Sequence, residues 1–351
     1  AIRYLSCMTS AEKKLILEWY RDGKIKKEDL KDLYPDLYYY LGKTVASSEE
    51  PWVLDYIDKY KEAKVRNEYT SDVRSYIISK NQNHVEYFKW SSKFPTSRTL
   101  LSMRQDIQAF IWIDGLGIDW IPFIAQIVKE HEPEGYYLNE VFVATAKLPT
   151  RTDINKVDIE AMSGGLAVKI GDIDEVAHTC RPYPRFVIED MVEVRNKIHK
   201  MLLEHPGQKI AIVSDHGISY LSQLKQGYNL KGYKSDHYGR IALATTSGRA
   251  SIVKDEKYNI VDLPDGKTVA LCALKHESLM AKIPEGMGCH GGCTPEEQLV
   301  PVMIISSNKT TATWRAVFKS FDVEEANPVV VYEIAGLDTN QHPLIEYDDK
   351  Y

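Results

Sequence analysis

Between residues 107 and 306, short apolar runs alternate with loops and helix-patterned segments. The runs lie at 109–113, 140–144, 209–213, 241–245, 268–273 and 299–305, and a helical period fills 186–204. A run apolar on both faces must be covered on both sides. Helical segments between such runs supply the crossovers that bring strands parallel. The pattern therefore predicts an α/β fold whose mainly parallel sheet is sandwiched by helices. With 351 residues, 44% of them hydrophobic, the chain can bury one large core of this kind.

The flanks read differently. Residues 1–106 are rich in Lys, Glu, Asp and Tyr with helical spacing. "TSAEKKLILEWY" sets Thr9 and Glu12 at capping-box distance and puts Leu15, Ile16 and Trp19 on one face. Further helices are expected over 27–41, 51–65 and 71–79. The slight basic excess and the tyrosines of this region fit either a solvated helical surface or a nucleic-acid or partner face. From 307 the tail is short, acidic and strand-like, with a run at 329–334. The expected division is a helical region at 1–106, a catalytic α/β domain at 107–306 and a strand-rich segment at 307–351. The chain opens on Ala1 and stops soon after its last strand-like run, which reads as a piece of a longer protein.

A net charge of -6 excludes a generally basic nucleic-acid coat, so a polyanionic substrate needs a local patch or metal ions. Five scattered cysteines give no disulfide framework and suggest a reducing cytoplasm. No apolar run is long enough to span a bilayer and no signal peptide is visible, so no membrane association is expected.

Polar residues at the ends of the apolar runs carry the chemistry. "FIWIDGLGIDW" ends a buried run on Asp114 and turns at Gly115 and Gly117 into a helical stretch at 118–129. An unpaired buried carboxylate costs several kcal/mol, so Asp114 needs a partner or must cap the helix that follows. "IAIVSDHGIS" places Asp215 and His216 after another buried run. In "GDIDEVAHTC", Asp174 and His178 stand one helical turn apart. In "GMGCHGGCTPEEQLVP", His290 lies in a glycine-rich loop between Cys289 and Cys293, which leaves a Cys–His–Cys zinc cluster open. "AKLPTRTDIN" offers two hydroxyls, Thr150 and Thr152, weak nucleophiles until a metal lowers their pKa. Oxygen and imidazole donors suit zinc or manganese. Two ligand sets around one alcohol suggest a two-metal site that clamps the attacking and leaving oxygens of a phosphoryl group.

The order Asp114, Thr152, Asp174-x3-His178, Asp215-His216-Gly217, His290-Gly-Gly resembles the alkaline phosphatase superfamily. Within it, "IDGLG", "SDHG" and "CHGGCTPEEQLVP" resemble the PglZ domain of bacterial BREX phage-defence systems. The resemblance covers about 107–306. It implies an alkaline-phosphatase-like sheet and two divalent ions, zinc first, with manganese or magnesium as alternatives. One ion would take Asp114, Thr152, Asp215 and His216; the other would take Asp174, His178 and His290, with Asp172 a rival for Asp174. It also implies Thr152 as the nucleophile, with Thr150 as its rival. "KSDHYGR" resembles a PglZ basic-aromatic stretch in which Lys234, His237 and Arg240 would hold phosphoryl oxygens; the alternative is a solvated turn before a strand.

The expected activity is metal-dependent hydrolysis of nucleotide or nucleic-acid phosphoesters, with phage defence as setting and other defence-system proteins as partners. Two other readings compete with it. One is a metal-stabilised scaffold that recruits partners; the other is nucleic-acid binding without cleavage.

Overall fold

The computed structural model describes Leu5, residues 9–307 and two strands of the tail, Trp314–Phe318 and Val330–Ile334. Helices α1 (Ser10–Arg21), α2 (Leu30–Leu33), α3 (Pro35–Tyr40), α4 (Trp52–Arg66), α5 (Ser71–Lys80), α6 (His84–Ser91) and α7 (Ser97–Leu101) fill the first hundred residues. The capping box forms as its spacing predicts: Glu12 N donates to Thr9 Oγ1 at 3.2 Å and Thr9 N to Glu12 Oε2 at 3.1 Å. The buried face of α1 is Ile16, Leu17 and Tyr20, one residue round from the expected stripe, with Trp19 only half-buried. The single helix expected over 27–41 is broken at Tyr34, because Pro35 disfavours helical backbone in the residue before it.

The central sheet is built from β1 (Ala109–Asp114), β2 (Tyr137–Thr145), β3 (Ala167–Asp172), β4 (Ile210–Val213) and β9 (Leu299–Ser306), in the order β2-β9-β4-β1-β3. β1 pairs in parallel with β3 and β4, whereas β9 runs antiparallel to both β2 and β4. Four strands thus point one way and one is inverted, giving the mainly parallel α/β sheet. Every residue of β1, β4 and β9 is buried, as both-sided covering demands. The cover comes from α8 (Ile121–Glu130), α9 (Thr152–Met162), α10 (Ile173–Ala177) and α11 (Arg185–Glu204).

Two predicted strands do not join this sheet. Residues 241–245 and 268–273 become β6 (Ile241–Thr245) and β8 (Thr268–Ala273) of an antiparallel sheet with β5 (Lys234–Asp236) and β7 (Tyr258–Asp262), ordered β5-β6-β8-β7. Between them lie a 3-10 turn and β7 but no crossover helix, and without a crossover, neighbouring strands pair antiparallel. In the tail, Trp314–Phe318 (β10) and Val330–Ile334 (β11) pair as an antiparallel ribbon.

Several tyrosines of the helical region point inward. Tyr34, Tyr40, Tyr56 and Tyr60 are fully buried, and one continuous core runs from Ile16 to Ile305. Each hydroxyl that crosses this boundary finds an acceptor: Tyr56 donates to Glu296 at 2.7 Å, Tyr60 to Ile218 O at 2.9 Å and Tyr40 to Asp119 at 2.7 Å. These are core residues with polar handles.

In the short helix α12 (Pro295–Gln298), Glu297 takes two hydrogen bonds from the fully buried Arg240, at 2.8 and 2.6 Å. The same carboxylate accepts from Thr294 Oγ1 at 2.6 Å and Gly292 N at 3.3 Å, so it also shapes the loop that carries His290. Removing one partner of a buried pair leaves the other charge uncompensated. Glu297→Gln is expected to cost about 3–5 kcal/mol in urea unfolding; a loss below about 1 kcal/mol would show that the pair is not needed for stability.

Candidate metal centre

Each residue singled out at a strand end arrives at the carboxyl edge of the central sheet. Asp114 is the last residue of β1, Asp215 and His216 follow β4, and Thr152 is the first residue of α9. Asp174 lies in α10 with His178 directly after it, and His290 precedes α12. The loops after β1 and β4 close tightly against each other and against α12 (Pro295–Gln298) at the centre. A Cβ on Gly217 would stand 2.2 Å from Glu296 O and 2.8 Å from Gly117 Cα, so only glycine fits there.

Two groups form. In the first, Thr152 Oγ1 stands 3.4 Å from both oxygens of Asp114 and 3.2 Å from His216 Nε2. His216 Nε2 lies 3.4 Å from Asp114 Oδ1 and 3.6 Å from Asp215 Oδ2. In the second, His290 Nε2 and His178 Nε2 lie 3.0 and 3.1 Å from Asp174 Oδ1 and 3.2 Å from each other. The stacked rings of His216 and His290, 3.8 Å apart, join the groups.

All three imidazoles are held the same way. Nδ1 faces a backbone carbonyl in each: Gly217 O for His216, Gly288 O for His178 and Thr150 O for His290. Donation from Nδ1 to these carbonyls leaves the Nε2 lone pair turned into the cluster, the support found behind metal-bound histidines. Inward lone pairs and carboxylate oxygens repel unless a cation lies among them. Asp174 Oδ1 and Asp215 Oδ2 are buried without a hydrogen-bond donor in line. Ligands about 2.0–2.1 Å from a tetrahedral ion stand about 3.3 Å from one another, close to the spacing in the second group. By donor type, spacing and unsatisfied atoms, both groups fit divalent metal ions.

Electrostatics agree. Burial, reinforced by the neighbouring Asp215, raises Asp114 to about 6, and burial raises Asp215 too. Burial acts the same way on Asp174, but the His290 and His178 rings, where they carry a proton on Nε2, outweigh it and hold that carboxyl low, so an ion bound there would take the place of those protons. Lys169 of β3 supplies a cation that the sequence pattern did not point to: its Nζ lies 2.6 Å from Asp114 Oδ2 and 2.8 Å from Asp172 Oδ2. The strand carrying it escapes the pattern as well, since "AVKIGD" is half-exposed at the sheet edge and has little apolar patterning.

Of the rivals, Thr150 is placed elsewhere, whereas Asp172 stays at the margin of the cluster, beside Asp114 and Asp174. Thr150 is buried with its hydroxyl between Gly291 N, at 2.7 Å, and Gly292 O, at 3.3 Å, so it braces the His290 loop. Asp172 caps α10 through Glu175 N at 2.7 Å and pairs with Lys169. Cys289 and Cys293 turn their thiols to the carbonyls of Ser219 and Cys272, and burial pushes Cys289 up to about 12. Among the described residues no cysteine joins a possible metal group, so the Cys–His–Cys alternative falls.

Of the three residues expected to hold substrate, His237 alone reaches the cluster, its ring 4.4 Å from that of His290. It and Tyr238 sit in left-handed backbone, φ 44° and 55°, unusual for non-glycine residues. Arg240 is a correction: it is spent on Glu297 and on the carbonyls of Lys275 and Glu277, so no bidentate phosphate contact is open to it. Lys234 is exposed on β5, lining a groove with Tyr233, Thr245 and Thr268 that includes no residue of the cluster.

No protein-family model and no curated protein matches the chain. Among solved structures it is similar to human ectonucleotide pyrophosphatase/phosphodiesterase 5, with 14% identity, TM-score 0.27, and 40% of this chain covering 46% of that one. An inactive murine counterpart in complex with AMP gives 16%, 0.26, 44% and 51%. Phosphonoacetate hydrolase from Sinorhizobium meliloti, in complex with phosphonoformate, gives 13%, 0.25, 59% and 67%. The chain spans about half the length of the first two. Likeness this distant assigns no activity.

A carboxyl near 6 must shed its proton before it coordinates a cation. Zinc uptake by chelator-treated protein should therefore release more protons below pH 6 than at neutral pH and weaken about tenfold per pH unit there. Calorimetry in two buffers of different ionisation enthalpy measures both effects.

Proposed function

We propose that the chain is a metal-dependent phosphoric ester hydrolase acting on nucleotide or nucleic-acid phosphoesters, with Thr152 as nucleophile. The observation that carries this reading is the Thr152 hydroxyl facing Asp114 and His216, inside a cluster whose three imidazoles turn Nε2 inward. Asp114, Thr152, Asp215 and His216 would hold one divalent ion and Asp174, His178 and His290 the other, with His216 also within reach of Asp174 and His290; by donor type the ions are zinc, with manganese or magnesium as alternatives. When bound, such ions supply Lewis-acid activation of the hydroxyl and neutralise charge on the phosphoryl oxygens.

The protein's own part is positional. Thr152 opens α9, so its oxygen meets the positive end of the helix dipole, which favours an alkoxide. Its oxygen attacks phosphorus in line as the bond to the leaving alcohol breaks, the departing oxygen takes a proton from solvent in exchange for the one Thr152 gives up, and a phosphorylated Thr152 remains. Water then attacks that phosphorus and the bond to Thr152 breaks, which releases phosphate from a monoester, or a phosphate monoester from a diester, and returns a proton to the hydroxyl. His237 stands at the rim beside His290, where it can meet a phosphoryl oxygen. The PglZ-like segments support a role in phage defence alongside other defence-system proteins. No helix among the described residues is long and apolar enough to cross a membrane.

Turnover of a chromogenic phosphodiester beside its monoester tests the reading. Thr152→Ala should lower turnover by about 10³-fold or more while zinc, measured in parallel, is largely retained. Thr150→Ala should keep the hydroxyl chemistry and lose about 1–3 kcal/mol of stability through the freed Gly291 N–H. A parent protein that binds zinc and turns over neither ester overturns the enzyme reading in favour of a metal-stabilised scaffold.

A further inference from the structure

Lys169 is a charged side chain of the cluster to which the hydrolytic reading gives no task. Its ammonium holds Asp114 Oδ2 at 2.6 Å, on the carboxylate that faces both Thr152 and His216. It has a second anchor, Asp172 Oδ2 at 2.8 Å, and its side chain is 37% exposed, which leaves it room to move. The Asp174 group is different. Its carboxylate is paired with His178 and His290, and among the described residues it has no lysine or arginine partner.

We infer that Lys169 is a tethered competitor for the cation at Asp114, so that the two metal groups load in order, the Asp174–His178–His290 group first. This inference rests on the metal reading above. An ammonium and a divalent ion drawn to one carboxylate repel each other, and the local dielectric of a buried site strengthens that repulsion. Loading at Asp114 therefore has to break the Lys169–Asp114 contact and leave the ammonium on Asp172 alone, whereas loading at Asp174 breaks no contact with a lysine or arginine among the described residues. Asp172 sets how readily this happens, because it takes the ammonium that Asp114 gives up. Metal-free, Lys169 offsets the buried negative charge of Asp114 and Asp215, so the fold does not depend on the ion to hold these two carboxylates together.

Zinc alone, titrated into the chelator-treated full chain against a chromophoric chelator, tests this. The parent protein is expected to bind in two steps separated by about tenfold or more in affinity. His290→Gln should remove the tighter step. Lys169→Met, similar in length but uncharged, should tighten the weaker step by about tenfold and leave the tighter one unchanged. Asp172→Asn keeps an N-cap for α10 but leaves the ammonium on Asp114, so it should shift the weaker step the opposite way. Lys169→Met with an unchanged weaker step, Asp172→Asn with a tightened one, or His290→Gln losing the weaker step would each overturn the inference. Two zinc ions bound by the parent with those results would leave the metal reading standing. A parent that binds no zinc overturns both.

Discussion

Negative charge gathered in a buried place is the constraint around which this molecule is arranged. Asp114, Asp215 and Asp174 meet at one edge of the sheet, the first two almost without solvent, and two of their oxygens have no donor. A fold keeps such a cluster only if something positive joins it. Within the chain, the Lys169 ammonium answers in part. Divalent ions would answer fully, and the spacing of the donors suits them.

Much of the remaining structure serves to aim these groups. β1 and β4 lie side by side in parallel, so their ends deliver Asp114 and Asp215 to one place. The His290 loop is held from three directions: by Glu297 and its partner Arg240, by the Thr150 hydroxyl on Gly291, and by the Thr150 carbonyl on His290 itself. Tyr56, reaching from α4 to Glu296, ties the helical region to the same corner. Through this contact the helical region is part of the site's support.

The backbone at His237 and Tyr238 shows the same economy of placement. Two consecutive non-glycine residues in left-handed conformation store strain of order 1–3 kcal/mol each, and the result is an imidazole and a phenol set against the His178–His290 pair. Strain held at a functional edge is where such backbone is usually found. The basic residues flanking them are used otherwise, Arg240 in the core and Lys234 on an open groove.

Local chemistry made one half of this protein legible in its sequence. Apolar runs covered on both faces can only be buried strands, and a carboxylate or histidine ending such a run must find company, so Asp114, Asp215 and His216 stand out from their neighbours in the chain alone. The Asp174–His178 spacing works for the same reason, since one helical turn is a local property. Residues whose meaning depends on what faces them could not be read this way. Thr150 and Thr152 are two residues apart and chemically alike; only packing turned one hydroxyl to the carboxylates and the other to Gly291. Arg240 had the composition of a phosphate binder, and a buried glutamate made it a core residue. Lys169 stood on an edge strand too weakly patterned to be seen, and it matters because parallel pairing sets β3 against β1. The sequence alone determined which groups needed partners. Tertiary structure decided which partner each one has, because contacts across a hundred residues follow from how the sheet is wound.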